Sequence, residues 1–371
     1  MPSINILRES KILRTPRVMQ VEGIFDIPLS ERSTEQWTIN LPLEEKEWNI
    51  GLIVGPSGCG KTTIARELFG SKVFTTFRWP KEKSILDGFA DGLSIKEITE
   101  VLSSVGFSSP PMWLRPYQVL STGQMMRVNV ARLLLEQRDL AVMDEFTSVV
   151  DRTVAQIGSA AIAKTVQRRQ QKFVGVTCHY DVTDWLQPDW VYQPHINEFL
   201  WRFPGKRPSI QLEIKRVHHS AWELFRQYHY LDHSFNRSAR AFVAFLDGTP
   251  VALQAVIASP HPIVRHMYRG HRAVCLPDYQ GVGIGNALIT YVASAYRGMG
   301  FRILSTTASP SLIKSRSRDH RWKCLLAPHI VKKLTGSLPG SWKGAVNRLT
   351  TTWEYIGPRM DVEQAKALIY G

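Results

Sequence analysis

The feature that most constrains this chain of 371 residues is one run of eight: Gly55-Pro56-Ser57-Gly58-Cys59-Gly60-Lys61-Thr62. Residues 49–54 before it read as a short buried strand, and "TTIARELFG" after it reads as a helix that ends at Gly70. Glycines between a strand and a helix admit backbone turns closed to other residues. Successive N–H groups can then face inward and, with the helix N-terminus behind them, cradle a dense anion such as phosphate. Gly55, Ser57, Gly58, Cys59, Gly60 and Thr63 supply that cradle. Lys61 is placed to bridge two phosphates, and the Thr62 hydroxyl to ligate Mg²⁺.

A second piece depends on the first. "RDLAVMDEF" carries an apolar run, Leu140 to Met143, typical of a buried parallel strand, and it ends at Asp144 and Glu145. A carboxylate at the C-terminal end of such a strand lies beside the phosphate loop and can hold Mg²⁺ through water, the role given to Asp144. Glu145 can then accept a proton from an attacking water. Three further elements come in order: "LSTGQ" at Leu120 to Gln124 before a helix, "SVVD" ending at Asp151, and His179 after the apolar strand "KFVGVTC".

As a set, over roughly residues 18–200, these motifs resemble the ABC-type ATPases. The resemblance implies ATP as ligand, held between two nucleotide-binding domains. Ser121, Gly123, Gln124 and Asp151 would then touch ATP on a partner subunit, His179 would contact the γ-phosphate, and the chain would form a homodimer. Two departures stand out. The segment "RWPKEKSILDGF" lacks the family's glutamine, and only 83 positions separate Lys61 from Asp144, a short insert for a transporter motor. No window approaches 18 consecutive apolar residues, so no membrane helix is expected. The N-terminal stretch does not read as a secretory signal. Four cysteines without paired spacing argue against a zinc site or a disulfide framework and suit a reducing cytoplasm. Phe25 and Trp48 are candidates to stack on adenine, or are core.

Charge divides the chain. Residues 1–205 hold 23 basic and 23 acidic side chains, whereas residues 206–371 hold 23 and 9, so the whole net charge of +14 lies in the second half. That asymmetry points to an anionic partner, nucleic acid or a phosphate-rich cofactor, against the plainer reading of a solubilising surface. A linker is expected within residues 202–210. "SAWELFRQYHYL" has helical spacing, Asp247-Gly248 reads as a hairpin turn, and a strand, a glycine-rich turn, a helix to about Arg297 and a strand from Phe301 to Thr307 follow.

The turn Gln280-Gly281-Val282-Gly283-Ile284-Gly285, in that order of elements, resembles the signature of GNAT N-acyltransferases over roughly residues 210–330. The resemblance implies acetyl-CoA or a related acyl-CoA. The six turn residues and Asn286, at the helix start, would wrap the pyrophosphate. The strand through Ala273 to Leu276 would align the thioester carbonyl with a backbone N–H. The family's tyrosine acid is missing from "SPSLIKSRSRDHRWKCL", where Cys324, His320 or Ser311 are substitutes. For a base, "YHYLDHS" offers His229, His233 and Asp232, against the plainer reading of solvated loop residues or nucleic-acid contacts. That stretch also resembles the phage Mom proteins, GNAT-like enzymes that modify adenine in DNA. "KSRSRDHRWK" is either a phosphate grip with Trp322 stacking on a base or a solvated helix face.

The expected fold class is α/β: a P-loop ABC-type ATPase domain over residues 1–203, then an α+β GNAT-like acyltransferase domain over 204–371. The expected function is an ATPase fused to an acetyl-CoA-dependent N-acyltransferase acting on an amine of DNA or RNA. The alternative is a non-acylating ABC ATPase whose second domain clamps nucleic acid.

Overall fold

The computed structural model describes residues 4–26, 32–202, 205–230, 233–261, 263–330 and 349–371. From the N-terminus the chain runs β1 (Ile4–Lys11), α1 (Pro16–Phe25), β2 (Arg32–Ile39), β3 (Ile50–Val54), α2 (Lys61–Phe69) and β4 (Val73–Phe74). It continues through α3 (Ile95–Ser104), α4 (Pro110–Trp113), α5 (Thr122–Glu136), β5 (Leu140–Met143), α6 (Arg152–Arg169), β6 (Lys172–Thr177), α7 (Thr183–Leu186), β7 (Trp190–Gln193) and β8 (Glu198–Trp201). The remainder is β9 (Glu213–Val217), α8 (Trp222–Phe225), β10 (Arg240–Leu246), β11 (Thr249–Ala258), β12 (Met267–Cys275), α9 (Ile284–Gly298), β13 (Arg302–Thr307), α10 (Pro310–Arg316), β14 (Trp322–Ile330), β15 (Leu349–Tyr355) and α11 (Val362–Tyr370).

These elements form two compact units. The first takes residues 1–77, 133–149 and 166–206; the second takes 78–132, 150–165 and 207–371. In the first unit a six-stranded sheet has the order β4-β5-β6-β3-β7-β8, parallel except where β8 pairs antiparallel with β7. β3 lies inside the sheet and every one of its residues is buried. That is why its sequence is an apolar run rather than an alternation. The β1–β2 hairpin forms its own two-stranded sheet.

In the second unit a seven-stranded sheet has the order β14-β15-β13-β12-β11-β10-β9, mostly antiparallel, with β12 and β13 parallel. α9 carries eight buried residues from Ile284 to Tyr296 and packs, with α11, on one face. Trp222 and Phe225 cover the other. The hairpin turn falls at Asp247 (φ 48°) and Gly248 (φ 77°), as predicted. "SAWELFRQYHYL" is less regular than its spacing predicts: α8 is four residues long, flanked by two short 3₁₀ turns. β15 lies between β14 and β13. Among the described residues no helix is long and apolar enough to cross a membrane.

Candidate functional site

Two glycine loops, one in each unit, organise the chemistry. In the first unit the parallel strands β3, β5 and β6 all end at one edge of the sheet, and each delivers part of a phosphate site. β3 leads into the loop at Gly55, where Gly58 and Gly60 take φ of +83° and +85°. Gly60 caps α2 with no side chain, leaving the helix N-terminus open. Lys61 Nζ donates back to the carbonyls of Gly55 at 2.9 Å and Pro56 at 2.6 Å. β5 ends at Asp144, buried, whose Oδ1 accepts from Thr62 Oγ1 at 3.1 Å and from the Glu145 N–H at 3.0 Å. Its Oδ2 accepts from Thr75 Oγ1 at 3.3 Å. The hydroxyl and carboxylate matched to Mg²⁺ are thus already neighbours, an oxygen donor set of the kind that ion takes. Glu145 is exposed and, like Thr147, sits at positive φ (53° and 68°). A strained turn therefore presents the carboxylate. His179 follows β6, its backbone N–H donating to Thr177 Oγ1 at 3.2 Å.

Sequence reasoning missed one residue here. Trp37 of β2 lies against Gly60 so closely that a Cβ there would meet its indole ring at 2.6–2.9 Å. Trp48 is instead a core residue, edge-on to Trp190 at 5.5 Å and donating its N–H to the Leu43 carbonyl. Phe25 is 70% exposed.

In the second unit, the "LSTGQ" turn starts α5. The Gln124 N–H donates to Ser121 Oγ and the Ser121 N–H to Gln124 Oε1, at 3.3 and 3.2 Å. This reciprocal cap explains why a Ser and a Gln three apart begin the helix. Asp151 caps α6, its Oδ1 accepting from the Val154 N–H at 3.2 Å.

The second loop follows β12. β12 pairs with β13 only from Met267 to Arg269 and then parts from it, while β13 pairs on the other side with β15. The pairing thus ends before β12 reaches its C-terminal end, the end at which α/β sheets hold ligands. In the β12–β11 register His271 is an extra residue, a bulge. Its Nε2 accepts from the Asn236 N–H at 3.1 Å, and sequence reasoning did not single it out. Gly283, at φ +101°, caps α9 with no side chain, and nothing lies within 4 Å of where its Cβ would be. The backbone there is open to a ligand at a helix N-terminus. Ile284, Gly285 and Asn286 form the first turn of that helix. Val282 packs on the α9 core, and Leu276 against the aromatic face. Gln280 is engaged: its Oε1 accepts from Ser108 N–H and Oγ at 2.8 and 2.7 Å, and its Nε2 donates to the Cys275 carbonyl at 2.8 Å.

His229 is buried beside Trp222 and stacked on Tyr230, whereas His233 is exposed and its carbonyl accepts from Trp222 Nε1. Asp232 lies outside the described residues. The basic stretch differs from the stacking-platform reading: Trp322 is buried against Tyr355, with the Arg316 guanidinium 4.4 Å from its ring centroid. Burial lowers that guanidinium to about 10. Alternation along β14 turns Trp322 inward, which the run of basic neighbours hid.

The Acetyltransferase (GNAT) family model matches residues 181–316. Among curated proteins, the chain is 32% identical over 123 residues to the ATP-binding protein Uup of Haemophilus influenzae, covering 27% of this chain and 19% of that protein. It is 27% identical over 171 residues to the putative uncharacterized ABC transporter ATP-binding protein YcjV of Escherichia coli, covering 37% of this chain and 47% of that one. Among solved structures, an IAA acetyltransferase from Bacillus cereus is 12% identical, with 39% of this chain and 99% of that one covered and a TM-score of 0.30. The chain thus spans between a fifth and a half of the length of these curated relatives. It joins a region similar to ABC ATP-binding proteins to a GNAT acetyltransferase domain.

Proposed function

We propose that the chain hydrolyses ATP and transfers an acyl group from acetyl-CoA, or a related thioester, to an amine on DNA or RNA. The functional domains are residues 1–203 and 204–371. The observation that carries the acyl-transfer reading is the open, side-chain-free start of α9 at Gly283, in the loop that follows β12. Exposed backbone N–H groups at a helix N-terminus suit a pyrophosphate. Val282, Gly283, Ile284, Gly285 and Asn286 would hold it, with Gln280 and Gly281 fixing the turn. Leu276 would flank the thioester arm. A backbone N–H of the strand through Ala273 to Leu276 would polarise the thioester carbonyl. The acceptor nitrogen bonds to the acyl carbon as the C–S bond breaks. Its proton passes to His229 or His233, and the thiolate takes one from solvent.

In the ATPase site, Gly55, Ser57, Gly58, Cys59, Gly60, Lys61, Thr62 and Thr63 cradle the phosphates. Thr62 and Asp144 would hold Mg²⁺, which would neutralise charge on the phosphate oxygens. Glu145 takes the proton of the attacking water, and His179 meets the γ-phosphate. Trp37, against Gly60, is the adenine platform, in place of Phe25 or Trp48. A second copy would add Ser121, Gly123, Gln124 and Asp151 to complete each site. Support for nucleic acid comes from exposed Arg237, Arg265, Arg269, Arg318 and Lys323, while Glu213, Glu223, Asp319, Glu354 and Glu363 are each paired with a nearby cation.

Calorimetric titration with acetyl-CoA tests the reading: saturable binding that Gly283→Val removes is expected, and absence of binding overturns acyl transfer. The engaged Gln280 side chain favours a second reading, in which the domain clamps nucleic acid without acylating it. ATP turnover stimulated by DNA, with no thioester consumption, would decide for the clamp.

A further inference from the structure

The signature turn and the acyl-CoA loop are bonded to each other inside the second unit. Ser121 Oγ donates to Asp278 Oδ1 at 3.2 Å. Gly123 is so close that a Cβ on it would stand 3.0 Å from the same oxygen. Arg127, one turn further along α5, is fully buried and grips the segment that carries Asp278. Its Nη1 donates to the carbonyls of Gly106 at 2.6 Å and of Pro277 and Gln280, both at 3.1 Å, and its Nη2 to that of Asp278 at 2.5 Å. Ser108 ties down the Gln280 side chain, and Gly281, at φ +90°, packs on Gly106 and Ala161. Lys314 of α10 pairs with Glu100 of α3 at 3.0 Å.

Two anions cannot share this place. In the function proposed above, on which the following rests, Ser121 and Gly123 receive the γ-phosphate of ATP on a second copy. Here they face a carboxylate, with Asp151 close enough to act on it electrostatically. A phosphate arriving at Ser121 must displace Asp278. Arg127 ties the backbone carbonyls of Asp278 and Gln280 into one unit, so a displacement that carries the Asp278 backbone shifts the segment that leads into Gly281–Gly285. A ligand on that loop resists the shift.

We propose that Asp278 is a latch between the two activities: it covers the nucleotide-facing side of the signature turn, so that acyl-CoA binding and ATP-driven pairing of two copies oppose one another. Linkage makes the opposition reciprocal. Each ligand weakens the other by the same factor, and coupling of this kind is typically about 5- to 150-fold.

The test uses the full chain. ATP turnover is measured with and without saturating acetyl-CoA, and acetyl-CoA affinity is measured by calorimetry with and without a non-hydrolysable ATP analogue. The expected result is a loss of acetyl-CoA affinity of roughly fivefold or more in the presence of the ATP analogue, together with a fall in ATP turnover in the presence of acetyl-CoA. Asp278→Ala abolishes both effects, whereas Asp278→Asn, which keeps the shape and cannot ionise, retains them. A wild-type chain that turns over ATP and binds acetyl-CoA, with neither altered by the other ligand, overturns the latch alone. Failure of either single-ligand measurement overturns the proposed function and the latch with it. The wild-type comparison decides the matter even if a variant fails to fold.

Discussion

The two glycine loops solve one geometric problem and differ in chemistry. Both leave the C-terminal end of a strand and enter a helix through a glycine at positive φ with no side-chain cap, Gly60 at +85° and Gly283 at +101°. Both therefore offer bare helix N-termini to an anion. The first loop is followed at once by a cation, Lys61, and by a hydroxyl bonded to the Asp144 carboxylate. The second is followed by Ile284, Gly285 and Asn286, with no charge among them. A loop that only holds phosphate needs nothing more than backbone; one that breaks a phosphate bond needs charge and a metal ligand beside it.

The sharpest way to break that contrast is to remove the charge. Lys61→Ala is expected to lower ATP turnover by about 100-fold or more, the scale for a lost electrostatic contact to a developing anion. Acetyl-CoA affinity should persist. Phosphate release assays and calorimetry on one preparation separate the two; equal turnover in the variant would mean the first loop is no more than a holder.

The next contrast lies inside the second loop. Gly281 and Gly283 both need positive φ, but Gly281 is closed in by Ala161 and Gly106 whereas Gly283 faces open space. Gly281→Ala should destabilise the fold by about 2–3 kcal/mol through overpacking, read as a fall in Cm in urea. Gly283→Val should cost about 1–3 kcal/mol of backbone strain and remove acetyl-CoA binding. If both variants lost stability equally and both bound acetyl-CoA, the division into a packing glycine and a ligand glycine would fail.

Both loops were legible in the sequence because their requirements are local: an apolar run, glycines at fixed offsets, a helix start. Leu140 to Met143 and the Asp247-Gly248 turn were legible for the same reason. What escaped depends on contacts between distant residues. Trp37 earns a place beside Gly60 only because the β1–β2 hairpin carries it there, 23 positions away in sequence. Trp48 looked equally plausible until Trp190 closed over it. Trp322 sat in a basic run that suggested solvent, yet strand alternation decided its direction. The engagement of Gln280 by Ser108 links residues 172 positions apart, beyond any local pattern. A smaller effect follows from the first of these. Trp37→Ala should raise KM for ATP by about tenfold, the loss of one base–aromatic stack, with kcat little changed. An unaltered KM would return Trp37 to a purely packing role on Gly60.

The smallest expected effect is the pH dependence of the coupling, and it follows from what surrounds Asp278. Burial raises its pKa above the usual 3.8; Arg127 and the Ser121 hydroxyl pull it down less than burial pushes it up, and Asp151 adds to the rise. Tyr279 and Cys275 beside it are themselves pushed up by burial and stay neutral near pH 7. Arg127, lowered to about 10 by its own burial, remains a cation. A carboxyl group whose pKa is raised where it is buried carries a penalty for its charge that is fully present above the raised value. The penalty is relieved as pH falls through that value towards 3.8. The latched arrangement therefore gains on acidification, and ATP-driven displacement of Asp278 into water releases a proton. Inhibition of ATP turnover by acetyl-CoA should deepen as pH falls through the raised value and level off above it. The change should be small, because the opposing pull of Arg127 and of the Ser121 hydroxyl offsets part of the rise that burial causes. Turnover measured across that range in the wild type and in Asp278→Asn checks it, since the variant has no carboxyl group to titrate. A pH dependence that survives the substitution would assign the effect to another group, with Asp151 first in line.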